Sequence, residues 1–329
     1  MPVCSAARKR NYWIKQSVKD ESFDSKYALG DEIGRGRSSI VYACERRGLN
    51  HPFAVKIIRK NLDKKLCMAD IGVLLGLHHE NLVRLQEVFE SRTRIFIVQE
   101  LEYGGELFDR LATLETYTEV TAAKVLKDIL SGINYLHSCG YVLKNLKPEN
   151  LLYATVLDDS RLLIADFAMS SLVSLEVDMS SVCGSPGYTA PEALKGVHFG
   201  KPGDMWSVGV ILYILLCGYE PFTCDSPSLL FKKILKGQYD FNPEHWQMIS
   251  LNAQDIVKRL LMLNPETRLT ASAALRTIWV QACALRNTPL NDTLLRLKTF
   301  NEARKDKTRG HLEVHTIHPN TNPRFLLCV

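Results

Sequence analysis

The sequence has no Cys-x-x-Cys pair among its nine cysteines, and no cysteine stands at zinc-ligand spacing from a histidine. It has no apolar run long enough to span a bilayer. The longest, WSVGVILYILLCG from Trp206 to Gly218, reads as a buried helix instead. It has no long Lys/Arg block and no aromatic-interleaved basic stripe, so the net charge of +5 does not point to nucleic acid. Its first residues, MPVCSAARKRNYW, lack the apolar core of a secretory signal. The cysteines therefore read as free thiols of an intracellular protein, cytoplasmic or nuclear, without a membrane partner. Internal repeats and low-complexity segments are also missing.

What is present is ordinary globular material, 329 residues that are 46% hydrophobic and 23% charged. Residues 1–26 are polar and basic and read as a tail without its own core. From Tyr27 the pattern turns strand-like: YALGDEIGRGRSSIVYACERR reads as strand, Gly-rich turn, strand, and PFAVKIIRK as a third strand. KKLCMADIGVLLGLHH then has a helical stripe, and LVRLQEVFES and RIFIVQEL again read as strands. After YGGEL the character is helical, with Val125, Ile129 and Ile133 at the spacing of a packed helix. This pattern predicts an α+β fold of two lobes, small and sheet-rich over 27–101, larger and helical over 102–281, hinged near 99–104. A tail over 282–329 follows.

IGRGRSSIV supplies glycines that let backbone approach a phosphate, and AVK places Lys56 one strand later, within reach of it. Alone, the glycines fit a plain hairpin equally well. The ordered set GRG…V, AVK, GGELFDR, LKPENLL, ADF, GSPGYTAPE and DMWSVGVI is far more specific. In order and spacing it resembles the eukaryotic protein kinases over residues 27–281. The wording RSSIVY, DIGVLL, NLLYAT and YILLCGYEPF is most similar to the calcium/calmodulin-dependent protein kinase family, type IV above all.

That resemblance implies a bilobal protein kinase fold with ATP and Mg²⁺ as cofactors. Ile33, Gly34, Gly36, Val41, Ala54, Lys56, Glu100 and Leu101 match nucleotide-cleft positions, with Glu106 counted among them. Asp70 takes the place of the Glu that pairs with Lys56 in the family, one methylene shorter. Asn150 and Asp166 match the metal ligands, Lys147 the γ-phosphate contact, and Ser181 an activation-loop phosphorylation site. Glu106 and Glu149 also match positions that select basic residues upstream of the target hydroxyl. Glu192 is expected to pair with Arg268, and Asp204 to brace the catalytic-loop backbone.

The departures fall in GYVLKNLKPENLLY, where Leu143, Lys144 and Asn145 replace the His-Arg-Asp triplet. An amide at 145 keeps the shape of the catalytic base and accepts a hydrogen bond, but takes up no proton near neutrality. Lys144 gives charge without the bidentate fork of Arg. Ala168 replaces a glycine after Asp166. Two readings stay open: a nucleotide-binding pseudokinase or very weak kinase acting as a scaffold, and an active Ser/Thr kinase for substrates with upstream basic residues. In the tail, Leu294, Leu297 and Phe300 share a helical face that resembles the family's autoinhibitory and calmodulin-binding segment, here 290–309. Lys305, Asp306, Lys307 and Gly310 are expected to interrupt that helix.

Overall fold

A computed structural model describes residues 17–18, 21–35, 39–49, 51–59, 74–167, 186–197, 200–224, 226–281 and 287–313. Among the sequence expectations, Gly36, Asp70, Ala168 and Ser181 lie outside the described residues, as does most of the stretch KKLCMADIGVLLGLHH.

The small lobe is a five-stranded antiparallel sheet of β1 (Tyr27–Arg35), β2 (Ser39–Arg46), β3 (Pro52–Arg59), β4 (Leu85–Glu90) and β5 (Arg94–Glu100). Its order is β1-β2-β3-β5-β4. Strand β3, rich in β-branched residues, lies between β2 and β5, and its register sets Lys56 opposite Val41 and Ile97. The packed lobe begins earlier than the 1–26 tail boundary suggested. Phe23, in the short helix α1 (Phe23–Lys26), stacks on Tyr27 at 5.4 Å and on Phe96 at 5.2 Å. Val18 also bonds to the β4 edge, its N–H donating to Val88 O at 2.8 Å and its carbonyl accepting from Glu90 N–H at 3.1 Å. Edge strands are open to unwanted pairing, and this segment covers part of that edge.

The large lobe contains α2 (Leu107–Ala112), α3 (Glu119–Ser138), a two-stranded β6 (Leu151–Tyr153) and β7 (Leu162–Ile164), and α4 (Pro191–Leu194). It continues through α5 (Lys201–Cys217), α6 (Pro227–Lys236), α7 (Pro243–Trp246), α8 (Leu251–Leu260), α9 (Ala271–Leu275) and α10 (Asn291–Glu313). The apolar run read as a buried helix is α5, in which every residue from Gly203 to Cys217 is buried. A helix apolar on all sides belongs in the middle of a core. Among the described residues no helix is long and apolar enough to cross a membrane.

Two polar centres tie the lobe together, one at Glu119 and one at Arg268, both buried. Glu119 accepts hydrogen bonds from Ser250 N–H at 2.6 Å, Ser250 Oγ at 2.7 Å and Trp279 Nε1 at 2.7 Å. Glu192 and Arg268 meet as expected, in a two-pronged pair at 2.6 and 2.9 Å. The expected break in the tail helix does not occur: α10 runs unbroken through Lys305, Asp306, Lys307 and Gly310. A mid-helix glycine costs only about 0.5–1 kcal/mol relative to alanine. Ion pairs made by the residues just before it hold this helix against the lobe.

Candidate active site

Alternation along the strands builds the roof of a cleft between the lobes. Ile33, Val41 and Ala54 form a small buried apolar cluster with the partly buried Ala43 and Leu101, and Gly34 pairs with Val41 across the β1–β2 ladder. Ala54 and Lys56 stand two residues apart on β3 and so face the same side. Lys56 is only 4% exposed, and its ammonium lies 2.7 Å from Asp166 Oδ2. The cleft is lined by Val41, Ala54 and Lys56, and Glu100 lies on its hinge side.

The floor depends on Asp204, which is fully buried. Its carboxylate accepts the backbone N–H groups of Leu143 and Lys144, each at 2.9 Å, and His137 Nε2 lies 2.8 Å from Oδ2. The bracing role expected of Asp204 is thus geometric fact. These bonds hold Lys144 at φ +62°, and across the cleft Asp166 sits at φ +60°. They are the non-glycine residues with left-handed backbone among those described. Such a conformation costs about 1–3 kcal/mol and persists where the surroundings over-determine it.

Pro148–Asn150 forms a tight helical turn that buries Asn150. Asn150 Nδ2 donates to Asn145 O at 2.8 Å, and Asn150 O accepts from Ala165 N–H at 2.8 Å. The Asn150 side-chain oxygen therefore remains for a ligand. Together with the Asp166 carboxylate it offers the hard oxygen donors that Mg²⁺ prefers, beside a lysine suited to phosphate, under an apolar roof suited to a purine. The residues present fit Mg–ATP. Lys147 is half-buried beside this turn, whereas Asn145 and Lys144 are exposed.

The cleft is also lined by Leu152, Ala165, Gln99 and Glu102. Leu152 was legible in principle, because it follows Asn150 by two residues. Ala165 is its neighbour in space through the β6–β7 pairing, which local pattern does not reveal. Burial pushes the Glu102 carboxyl up to about 7, with repulsion from Glu100 adding to the rise and Arg161 opposing it. The folded protein then keeps a proton that the unfolded chain releases from about pH 4.5 upward, so stability falls as pH rises from 4.5 to 7. Glu102→Gln is expected to be more stable than the parent above pH 7, by about 1–2 kcal/mol after allowance for partial exposure, and equal to it below pH 4.5. Thermal melts at pH 4.5, 6 and 8 check this; a constant offset at all three pH values would refute it.

Glu106, predicted among the nucleotide-cleft positions, lies beside the cleft-lining Leu152 with its carboxylate turned to the tail. It is 1% exposed, and its carboxylate is taken by Arg304 of α10 at 2.5 Å. The turn before it explains this. Gly105 has φ +73°, and a Cβ on Gly104 would collide with Thr155 O and Tyr153. The chain is thereby pressed onto the β6–β7 hairpin and delivers Glu106 to the start of α2, facing the tail. Glu149 lines the cleft and also lies 3.4 Å from the same guanidinium. Asp109 accepts from Asn301 Nδ2 at 2.7 Å and pairs with Lys305 at 2.6 Å. Nearby, burial raises the Glu220 carboxyl and Lys307 lowers it. The acidic positions expected to read a substrate's basic residue are filled by the protein's own tail.

A protein kinase domain family model matches residues 27–280. The chain is 46% identical over 298 residues to calcium/calmodulin-dependent protein kinase type IV of Rattus norvegicus, an alignment covering 90% of the chain and 63% of the relative. It is 40% identical over 263 residues to calcium/calmodulin-dependent protein kinase type 1B of Homo sapiens, covering 79% and 76% respectively. Myosin light chain kinase A of Dictyostelium discoideum is 37% identical over 288 residues, covering 86% of the chain and 97% of the relative. The chain therefore spans about 63% of the length of the type IV relative.

Proposed function

Because the chain belongs to the protein kinase domain family, we propose that it is a calcium/calmodulin-dependent-type Ser/Thr kinase domain that binds Mg–ATP and transfers phosphate slowly. Its main work is then that of a nucleotide-loaded scaffold or allosteric partner inside the cell. The carrying observation is the catalytic loop, where Asn150 faces the cleft while position 145 holds an amide.

Bound Mg–ATP would supply the transferable phosphoryl group and the charge that neutralises it. Lys56 would hold the phosphates nearer the adenosine, Asn150 and Asp166 the metal, and Lys147 the terminal phosphate. Asn145 can orient a hydroxyl through its carbonyl oxygen, but the hydroxyl proton must leave to solvent. Phosphoryl transfer rests mainly on positioning and charge, so slow transfer survives the loss. The second reading, a fully active kinase for basic substrates, is favoured by one feature: Glu106 and Glu149 already grip an arginine. We read the tail as autoinhibitory on the same ground. Calmodulin is the proposed releasing partner through 290–309, by analogy with the relatives' names.

Thermal melts of the full chain with millimolar Mg–ATP test nucleotide binding. Ligand at a hundredfold excess over Kd stabilises by about 2.7 kcal/mol. A clear upward shift is expected for the parent and none for Lys56→Met. A parent that does not shift would end the nucleotide-loaded reading.

A further inference from the structure

A neutral amide interrupts the apolar roof of the cleft. Strand β5 pairs with β3 so that Gln99 stands opposite Ala54, and with β4 so that it also stands opposite Leu85. Residues directly opposite one another in neighbouring strands share a face of the sheet. Gln99 therefore projects from the face that carries Ala54 and Leu85, which are 1% and 6% exposed. It is half-buried and lines the cleft. Among the described residues its side-chain amide has no hydrogen-bond partner.

The neighbouring polar groups are already engaged. Glu100, one residue on and so turned to the other face, accepts from Gln86 Nε2 at 3.2 Å. Lys56 is paired with Asp166 at 2.7 Å. Lys56, Asn150 and Asp166 mark the end of the cleft suited to phosphate and metal. The base end is then the apolar cluster of Ile33, Val41, Ala54 and Leu101, and Gln99 faces Ala54 within it. A polar group in such surroundings is costly unless a ligand supplies its partner. A primary amide is both acceptor and donor, and turning it exchanges the two. Purines differ in just this respect at the 6-position: adenine carries an amine that donates there, and guanine an oxygen that accepts. Hypoxanthine, the base of inosine, carries the same oxygen. An aliphatic side chain serves neither, and a carboxylate serves only the amine.

We propose that Gln99 reads the 6-position of a purine nucleotide, and that its amide lets the cleft take 6-oxopurine triphosphates as well as ATP. With adenine, Oε1 accepts from the amine. With guanine or hypoxanthine, the amide turns and Nε2 donates to the carbonyl oxygen. The base is thus selected as a purine, and its 6-substituent is bound without being discriminated. This rests on the reading of the cleft as a Mg–ATP site, made above.

Displacement of fluorescent mant-ADP from the full-length protein by ATP and by ITP, both with Mg²⁺, tests this. The parent is expected to bind the two within about tenfold of each other, since each finds a partner in the same amide. Gln99→Glu keeps the size of the side chain and leaves only acceptors. It is expected to raise the ratio of the ITP Kd to the ATP Kd at least about tenfold, because a carboxylate repels the carbonyl oxygen. The bases also differ at N1, but that difference is common to parent and variant. Changes in lobe packing, or at the phosphates through Lys56, move both nucleotides alike and leave the ratio where it was. Gln99→Leu, which adds no charge to the roof, is expected to weaken both nucleotides at least about fivefold. Three results would overturn the proposal: a parent that binds ATP but binds ITP more than about a hundredfold more weakly, an unmoved ratio in Gln99→Glu, or unchanged affinities in Gln99→Leu. Each of these leaves the Mg–ATP reading standing. A parent that binds neither nucleotide ends that reading, and the proposal with it.

Discussion

Asn145→Asp is expected to raise phosphate transfer to a basic peptide by about 10²- to 10⁴-fold, the usual worth of general-base assistance. The tail must be opened for this comparison, so both proteins are assayed with Arg304→Ala in the background. Position 145 is exposed, and its backbone carbonyl, not its side chain, receives the Asn150 amide. The substitution should thus leave the melting temperature within about 1 °C, since exposed replacements usually change stability by less than 0.5 kcal/mol. The carboxylate gains the one property the amide lacks, a basic oxygen that can take up the hydroxyl proton. Radiolabel transfer at saturating Mg–ATP is the measurement. Equal rates for the two proteins would show that the missing base is not limiting, and the active-kinase reading would take its place. If neither transfers phosphate while both bind nucleotide, the substitutions at Asp70 and Ala168 become the cause to test.

Arg268→Ala carries the largest expected loss of stability. The Arg268 side chain is fully buried and donates to both Glu192 oxygens and to the carbonyls of Met262 at 2.9 Å and Pro202 at 2.6 Å. Its guanidinium also lies 5.2 Å from the centroid of Trp206. Removing one member of a buried pair strands the other, at a cost of about 3–5 kcal/mol. For a domain of this size that corresponds to a fall in melting temperature of about 6–20 °C. Arg268→Lys should recover only part of it, because an ammonium cannot serve two carboxylate oxygens and two carbonyls from one plane. Joint replacement by Glu192→Leu and Arg268→Met should cost less than Arg268→Ala alone, since no charge is then left stranded. Calorimetry of the three variants decides the matter. A loss under about 1 kcal/mol for Arg268→Ala would mean that the pair is not what ties α4 to the lobe.

Much of this molecule was legible because its determinants are local. The β-branched run of β3 and the apolar helix α5 each carry their structure in a few adjacent residues. The small roof cluster of Ile33, Val41, Ala54 and Leu101 follows from strand alternation once the motifs are in register. The pairing of Glu192 with Arg268 was reached through resemblance, and the geometry agrees. The unbroken tail helix was misread because Lys305, Asp306, Lys307 and Gly310 are poor amphipathic material when taken alone. Their neighbours' partners, Asp109, Glu106 and Glu149, lie far back in the chain.

The order of motifs in the sequence determined by itself that this is a kinase fold. It determined as well that residue 145 is an amide, a chemical fact no folding can alter. Tertiary structure alone decided what Glu106 does and where the tail goes. The Asn301–Asp109 bond spans 192 residues, and donors to the last carbonyls of α5 come from a helix that follows it after five other described elements. Such contacts arise because buried carbonyls and carboxylates must find donors somewhere in the finished core. Which donor reaches them depends on how whole helices pack, and no short stretch of residues records it.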